Sequence, residues 1–141
     1  MVDHSASSLD NIETYESLDV TGFRERIEDL PHQCLRAWEQ GLKFNLPTDY
    51  RNVRNVVVTG VGGSAIGGEL LSDLVSGDGS PLVTVCRDYH LPPYVGPDSL
   101  VIVSSHSGNT EETLTAFHDA VRRGAKVVAV TTGGQLLELA M

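Results

Sequence analysis

The chain has 141 residues, 40% of them hydrophobic, and a formal net charge of -9 at pH 7. That length fits one compact domain of ordinary size, and no run approaches the roughly 20 apolar residues that span a bilayer. The acidic balance argues against nucleic acid as a partner, because phosphate backbones draw basic surfaces.

The N-terminus, Met1-Val2-Asp3-His4-Ser5, has neither the positive nor the apolar region of a signal peptide. Cys34 and Cys86 are far apart, match no metal spacing and read as reduced thiols, which fits a cytoplasmic protein. Residues 1 to about 20 are polar without a sustained period and are expected to be loosely ordered. Over 22–44 the apolar residues Phe23, Ile27, Leu30, Leu35, Trp38 and Leu42 recur at helical steps, interrupted by Pro31. This stripe reads as a helical packing arm. A connector at 46–50 closes a first region, 1–50, and a second region runs over 51–141.

The second region repeats strand, turn and helix. The pattern predicts strands over 53–59, 82–86, 100–104 and 126–130, and helices over 64–75 and 110–123. Gly77-Asp78-Gly79-Ser80-Pro81 ends the first of these helices, and Gly124 ends the second. Three prolines between Leu91 and Pro97 exclude regular structure there. Strands apolar on both faces, alternating with helices, give an α/β fold: an open parallel sheet with helices on both faces. A last amphipathic stretch, 135–141, starts a helix and ends within two turns. The repeat calls for a further strand, so the chain reads as the front part of something longer, its sheet cut before the last strand. The alternative is a natural terminal helix beside an exposed sheet edge.

Two turns stand out. Gly60-Val61-Gly62-Gly63-Ser64-Ala65-Ile66-Gly67-Gly68 follows the first strand, and Ser104-Ser105-His106-Ser107-Gly108-Asn109-Thr110 follows the third. Each leads into a helix, whose first N–H groups lack partners and carry partial positive charge. Glycine lets a ligand approach the backbone, and hydroxyls add neutral donors. With a strand order of 2-1-3-4, both turns flank the switch point where open parallel sheets bind ligands. The pair points to one phosphate-bearing ligand held between them. Helix capping alone is the other reading of Ser107 and Thr110.

These turns, with Arg87-Asp88-Tyr89-His90-Leu91-Pro92, Glu111-Glu112-Thr113-Leu114 and Thr131-Thr132-Gly133-Gly134, resemble the bifunctional phosphoglucose/phosphomannose isomerase family. That family is built of two tandem sugar isomerase (SIS) domains, and the likeness is to the N-terminal one. The resemblance implies a flavodoxin-like strand order and a hexose 6-phosphate ligand. It implies no cofactor, no metal and no membrane, and a homodimer in the complete protein. It places the substrate phosphate on Ser64, on the backbone of Gly62 and Gly63, and on the hydroxyls of Ser105, Ser107 and Thr110. His106 departs from the family, which usually has tyrosine there. Glu111 and Glu112 read as first-turn acids that favour the helix dipole.

Aldose–ketose isomerisation moves a proton between adjacent sugar carbons and needs a base. The family's glutamate, histidine, lysine and arginine for this lie beyond the matched region, so no catalytic residue is expected in this chain. Two other readings exist. Gly60-x-Gly62-x-x-Ala65 fits a loose dinucleotide fingerprint, but Asp88 comes too late for the ribose acid and the second turn has no part in that scheme. A non-catalytic sugar-phosphate-binding SIS module, a sensor or a remnant, is the stronger rival.

Overall fold

A computed structural model of the protein describes residues 11–77 and 81–141. The leader expectation for the first five residues and the 78–80 part of the helix stop lie outside the described residues. The chain forms two compact units, Met1–Asn45 and Leu46–Met141.

The first unit carries three helices: α1 (Ile12–Leu18), α2 (Phe23–Glu28) and α3 (Leu30–Gly41). The loose order expected for residues 1 to about 20 lies outside the described residues over 1–10, and α1 corrects it over Ile12–Leu18. Its local reason is a cap: the Asn11 side chain accepts from the Glu13 N–H at 3.0 Å. Asp19 then starts α2 by accepting from the Phe23 and Arg24 N–H groups, each at 2.7 Å. These bonds, that from Arg24 foremost, hold its carboxyl below the usual range. The break in the arm falls at Asp29, between α2 and α3, and Pro31 sits in the first turn of α3. Proline is tolerated there because that N–H has no intrahelical partner anyway. None of the three helices has a buried side chain; Trp38 is 66% exposed and Leu42 69%.

In the second unit a 3-10 turn over Thr48–Arg51 falls in the expected connector. Then come β1 (Asn55–Thr59), α4 (Gly63–Val75), β2 (Leu82–Cys86), β3 (Ser99–Ser105), α5 (Glu111–Arg122), β4 (Lys126–Thr131) and α6 (Gly134–Ala140). The first strand starts two residues later than its apolar pattern, because Arg54 bonds elsewhere. Its N–H donates to Asp98 O at 2.8 Å, and its guanidinium stands 3.3 Å from the Asp98 carboxylate.

The four strands form one parallel sheet in the order β2-β1-β3-β4. The chain leaves β1 toward β2 and leaves β3 toward β4, so the switch point lies between β1 and β3. Val57, Val101, Val103 and Leu136 are fully buried in one core with Phe117, Ala116 and Ala120 of α5 and with Leu91 and Val95 of the proline-rich loop. On α4, Ala65 and Gly68 are buried, and Gly68 lies against the side chains of Val58 and Val85. Its residues Ile66, Leu70 and Leu74 form an exposed stripe. At the sheet edge β4 is only partly covered, and Val130 is 53% exposed.

Near the end of α5, the buried Asp119 carboxylate meets Arg122 at 2.5 Å and Arg123 at 2.6 Å. Arg123 also donates to Pro92 O at 2.9 Å, which ties the helix to the proline-rich loop. Burial pushes the Asp119 carboxyl up, but its hydrogen bonds to the two arginines outweigh this and hold it below the ordinary value of 3.8. A depressed carboxyl gives stability that is complete above its unfolded pKa and is lost as pH falls through the folded one. Asp119→Asn should therefore cost about 1.5–3 kcal/mol at neutral pH, the scale of hydrogen bonds to charged groups. Thermal melts from pH 7 to pH 3 should show the gap from wild type narrowing as the pH falls below 4; a constant gap would remove the carboxylate from the account.

Candidate functional site

Both distinctive turns leave the carboxyl ends of adjacent strands. Thr59 of β1 is opposite Val103 of β3, so the chain turns away from the sheet at the same end. Gly60 donates its N–H to Cys86 O at 3.2 Å, which fixes the start of the first turn. A Cβ at Gly60 would stand 2.8 Å from Ser104 O, closer than real Cβ atoms come. Only glycine lets the first turn lie this close to the base of the second.

The first turn faces open space. A Cβ at Gly62 or Gly63 would meet nothing within 4 Å. Ser64 and Ala65 donate to Val61 O and Gly62 O, each at 3.2 Å. The Gly62 and Gly63 N–H groups have no protein acceptor among the described residues, and α4 has no side-chain cap. The start of a 13-residue helix is thus left with free donors.

The second turn is held from inside. Ser105 is buried; its Oγ accepts from the Gly108 N–H at 3.1 Å and lies 2.9 Å from Thr110 Oγ1. Thr110 is the N-cap residue of α5, yet its side chain makes no cap bond. Its hydroxyl goes to Ser105 instead, so the capping-only reading does not describe it. Ser107 is exposed, and its Oγ accepts from the Asn109 N–H at 3.3 Å. The two turns meet where the His106 N–H points at Ser64 Oγ, 3.4 Å away. Ser64, Ser107 and Thr110 are thus gathered at one end of the sheet, beside the starts of α4 and α5. Ser105 lies behind them, its hydroxyl occupied in holding the turn.

The flanks of this region are acidic. Glu111 and Glu112 occupy the first turn of α5. The Tyr89 hydroxyl is pushed up, first by burial and then by Glu111, Glu112 and Asp88. Arg87, at the end of β2, is paired with Glu69 at 2.7 Å. An anion here would be met by backbone and hydroxyl donors, with no free lysine beside them. No group of three or more His, Cys, Asp or Glu that could hold a metal occurs among the described residues. The first unit has an open groove of about 690 Å³ lined by Ile12, Tyr15, Phe23 and Ile27. It shares no residue with the paired turns.

Sequence reasoning gave no role to the turn after β4. It braces the second turn: Thr132 donates its N–H and its hydroxyl to His106 O, at 3.3 and 2.7 Å. The adjacent glycines Gly133 and Gly134, straight after a strand, were the available signal.

No protein-family model matches the chain. It is 49% identical over 116 residues to the bifunctional phosphoglucose/phosphomannose isomerase of Caldicellulosiruptor bescii, covering 82% of this chain and 34% of that one. It is 32% identical over 104 residues to a D-glucosamine-6-phosphate 4-epimerase of Sulfolobus acidocaldarius, covering 73% of this chain and 32% of that one. A solved structure described as a phosphosugar isomerase of Bacillus subtilis superposes with a TM-score of 0.55 at 29% identity, covering 64% of this chain and 30% of that one. The fold is therefore that of a phosphosugar isomerase (SIS) domain. The family that the sequence resembles is the bifunctional phosphoglucose/phosphomannose isomerases, and the chain spans about a third of the length of the relatives it matches.

The close approach of the turns can be tested directly. Gly60→Ala should cost about 1–3 kcal/mol, the usual range for overpacking, because Ser104 O must move. A melting temperature equal to that of wild type would show that the turns need no glycine between them.

Proposed function

We propose that this chain is a hexose 6-phosphate-binding SIS domain of an aldose–ketose isomerase, acting on glucose 6-phosphate and mannose 6-phosphate to give fructose 6-phosphate. The observation that carries the reading is the convergence of two uncapped helix starts, α4 and α5, with Ser64, Ser107 and Thr110 between them. A phosphate dianion is matched by several neutral donors and two positive dipole ends. In this proposal the phosphate lies against Gly62, Gly63, Ser64, Ser107 and Thr110, and Ser105 shapes the turn from behind.

The chemistry of such an isomerase requires a base that carries a proton between two sugar carbons and donors that steady the enediolate. We assign no residue of this chain to that role. The acidic groups near the turns have a structural reading: Glu111 and Glu112 sit where the α5 dipole favours them. The chain supplies the phosphate grip, and the rest of the longer protein supplies the acid–base set and the choice among sugars. In that complete protein two copies pair, and the setting is the cytoplasm. A non-catalytic sugar-phosphate module remains the second reading. It is favoured by one fact: relatives with isomerase and epimerase names match this same chain, so what they share here is not one reaction.

Two measurements bear on this. The 141-residue chain alone should show no turnover in a coupled phosphoglucose or phosphomannose isomerase assay. Turnover well above a denatured control would put the acid–base set inside this chain. Titration with fructose 6-phosphate, followed by NMR, should show binding that weakens roughly 10- to 100-fold in Ser107→Ala, since a hydrogen bond to a charged phosphate contributes about 1.5–3 kcal/mol. Fructose should bind poorly to both forms, and NADH should not compete. An unchanged affinity in Ser107→Ala moves the phosphate elsewhere, and competition by NADH restores the dinucleotide reading.

A further inference from the structure

The turn after β4 is packed against the second turn more closely than a chance neighbour would be. A Cβ at Gly108 would fall 1.7 Å from Gly133 O, and one at Gly134 would fall 2.3 Å from Ser107 O. Gly108 and Gly134 both have positive φ, +67° and +69°, so glycine is required by conformation as well as by space. Four hydrogen bonds run from the segment after β4 to the turn of 105–110. Thr132 donates N–H and Oγ1–H to His106 O at 3.3 and 2.7 Å. The Leu136 N–H donates to Gly108 O at 2.9 Å, and the Gln135 N–H donates to Asn109 Oδ1 at 3.0 Å. Asn109 thereby caps α6 from another segment of the chain, satisfying a donor that the helix cannot satisfy itself. Leu136, one residue on, is fully buried, so the start of α6 is anchored in the core.

We propose that Thr132 and Asn109 form a latch that sets the conformation of the 105–110 turn, and so act as positioning residues for phosphosugar binding. This rests on the reading of that turn as a phosphate site. The latch works through backbone. Thr132 fixes the peptide that carries His106 O, and the next N–H in the chain is that of Ser107. Asn109 fixes the other end, next to Thr110 and the start of α5. With both ends held, the Ser107 hydroxyl and the free N–H groups of α5 keep one arrangement before ligand arrives. Preorganised donors bind more tightly because less ordering is needed on binding. Released at either end, the turn keeps its Ser105 bonds but samples other arrangements.

The substitutions that test this leave the core untouched. Thr132→Val removes the hydroxyl at nearly constant shape, Thr132→Ser keeps it, and Asn109→Ala removes the acceptor for the Gln135 N–H. The first readout needs no ligand. Amide hydrogen exchange at Gly108, whose N–H is bonded to Ser105 O and Oγ, should speed up at least about tenfold in Thr132→Val and Asn109→Ala, as local opening becomes easier. It should return to near the wild-type rate in Thr132→Ser. Exchange at Val57 and Val101, in the central strands, should stay as in wild type, which separates a released turn from a loosened fold. The second readout is fructose 6-phosphate affinity in the same chain, expected to fall about 3- to 10-fold in the Val and Ala variants and to recover in Thr132→Ser. Unchanged Gly108 exchange in both variants overturns the latch. Faster exchange with unchanged affinity, where Ser107→Ala does weaken binding, overturns its role in positioning. If Ser107→Ala also leaves binding unchanged, the phosphate reading fails, and the exchange rates alone decide whether the latch holds the turn.

Discussion

Everything in the second unit depends on one constraint: a parallel sheet sends all its strand ends, and hence all its following helix starts, to the same side. Each helix start exposes N–H groups that the helix cannot satisfy. In a sheet ordered β2-β1-β3-β4, the helices after β1 and β3 leave from neighbouring strands at the switch point. Their free donors are then brought together by topology, before any side chain is chosen. What the sequence adds is restraint. It places glycine where a Cβ would block approach, and it diverts the cap residue Thr110 to Ser105 so that the donors of α5 stay open.

That restraint is what would let a chain with a net charge of -9 hold the proposed phosphate. A lysine-based site would have to compete with Glu111, Glu112 and Asp88 nearby, and the one arginine at the end of β2 is already bound to Glu69. Backbone dipoles cannot be neutralised by an ion pair in this way. They are also directional, so they favour a compact, multiply charged oxygen cluster at one point over a diffuse anion. The same acidic flanks disfavour a ligand whose negative charge extends beyond the turns. The proposed ligand, a sugar carrying one terminal phosphate, would satisfy both conditions, with its hydroxyls in the acidic region as hydrogen-bond donors.

The fold was legible because its signals are local and repeated. Val56-Val57-Val58 and Leu100-Val101-Ile102-Val103 read as buried strands without reference to anything else, and Gly124 marked the end of α5 in advance. The misses have physical causes. The helix over Ile12–Leu18 is only seven residues long, so its period is too short to stand out, and it rests on a single Asn11 cap. The break at Asp29 was placed at Pro31, although proline in a first turn is a starting signal as much as a stopping one. At the site, the hydroxyl-rich turns were visible as types at fixed spacing. The burial of Ser105 was not, because Ser105 and Ser107 are indistinguishable until strand register puts one inside. Nor was the partnership of Asn109 with Gln135, which joins residues 26 apart through tertiary packing alone.

The proposed function also separates holding a substrate from transforming it. In the proposed reading the donors gathered here hold a phosphate, a group that takes no part in moving a proton between sugar carbons. Binding energy from such a remote group serves to orient the reacting part, and it can be reused when the reacting part changes. A domain of this kind places few demands on its partner segments: they need only present acid–base groups at the distance of a sugar ring from the turns. That is consistent with relatives of different named reactions matching the same stretch of chain. The constraint on the stretch itself is tighter. Its two turns must lie within a carbonyl's reach of each other, as Gly60 and Ser104 do, and the second must be held from both ends. Variation in reaction should therefore fall outside the turns, and variation within them should fall on residues whose side chains hold nothing in place, of which His106, acting here through its backbone N–H and carbonyl, is the example.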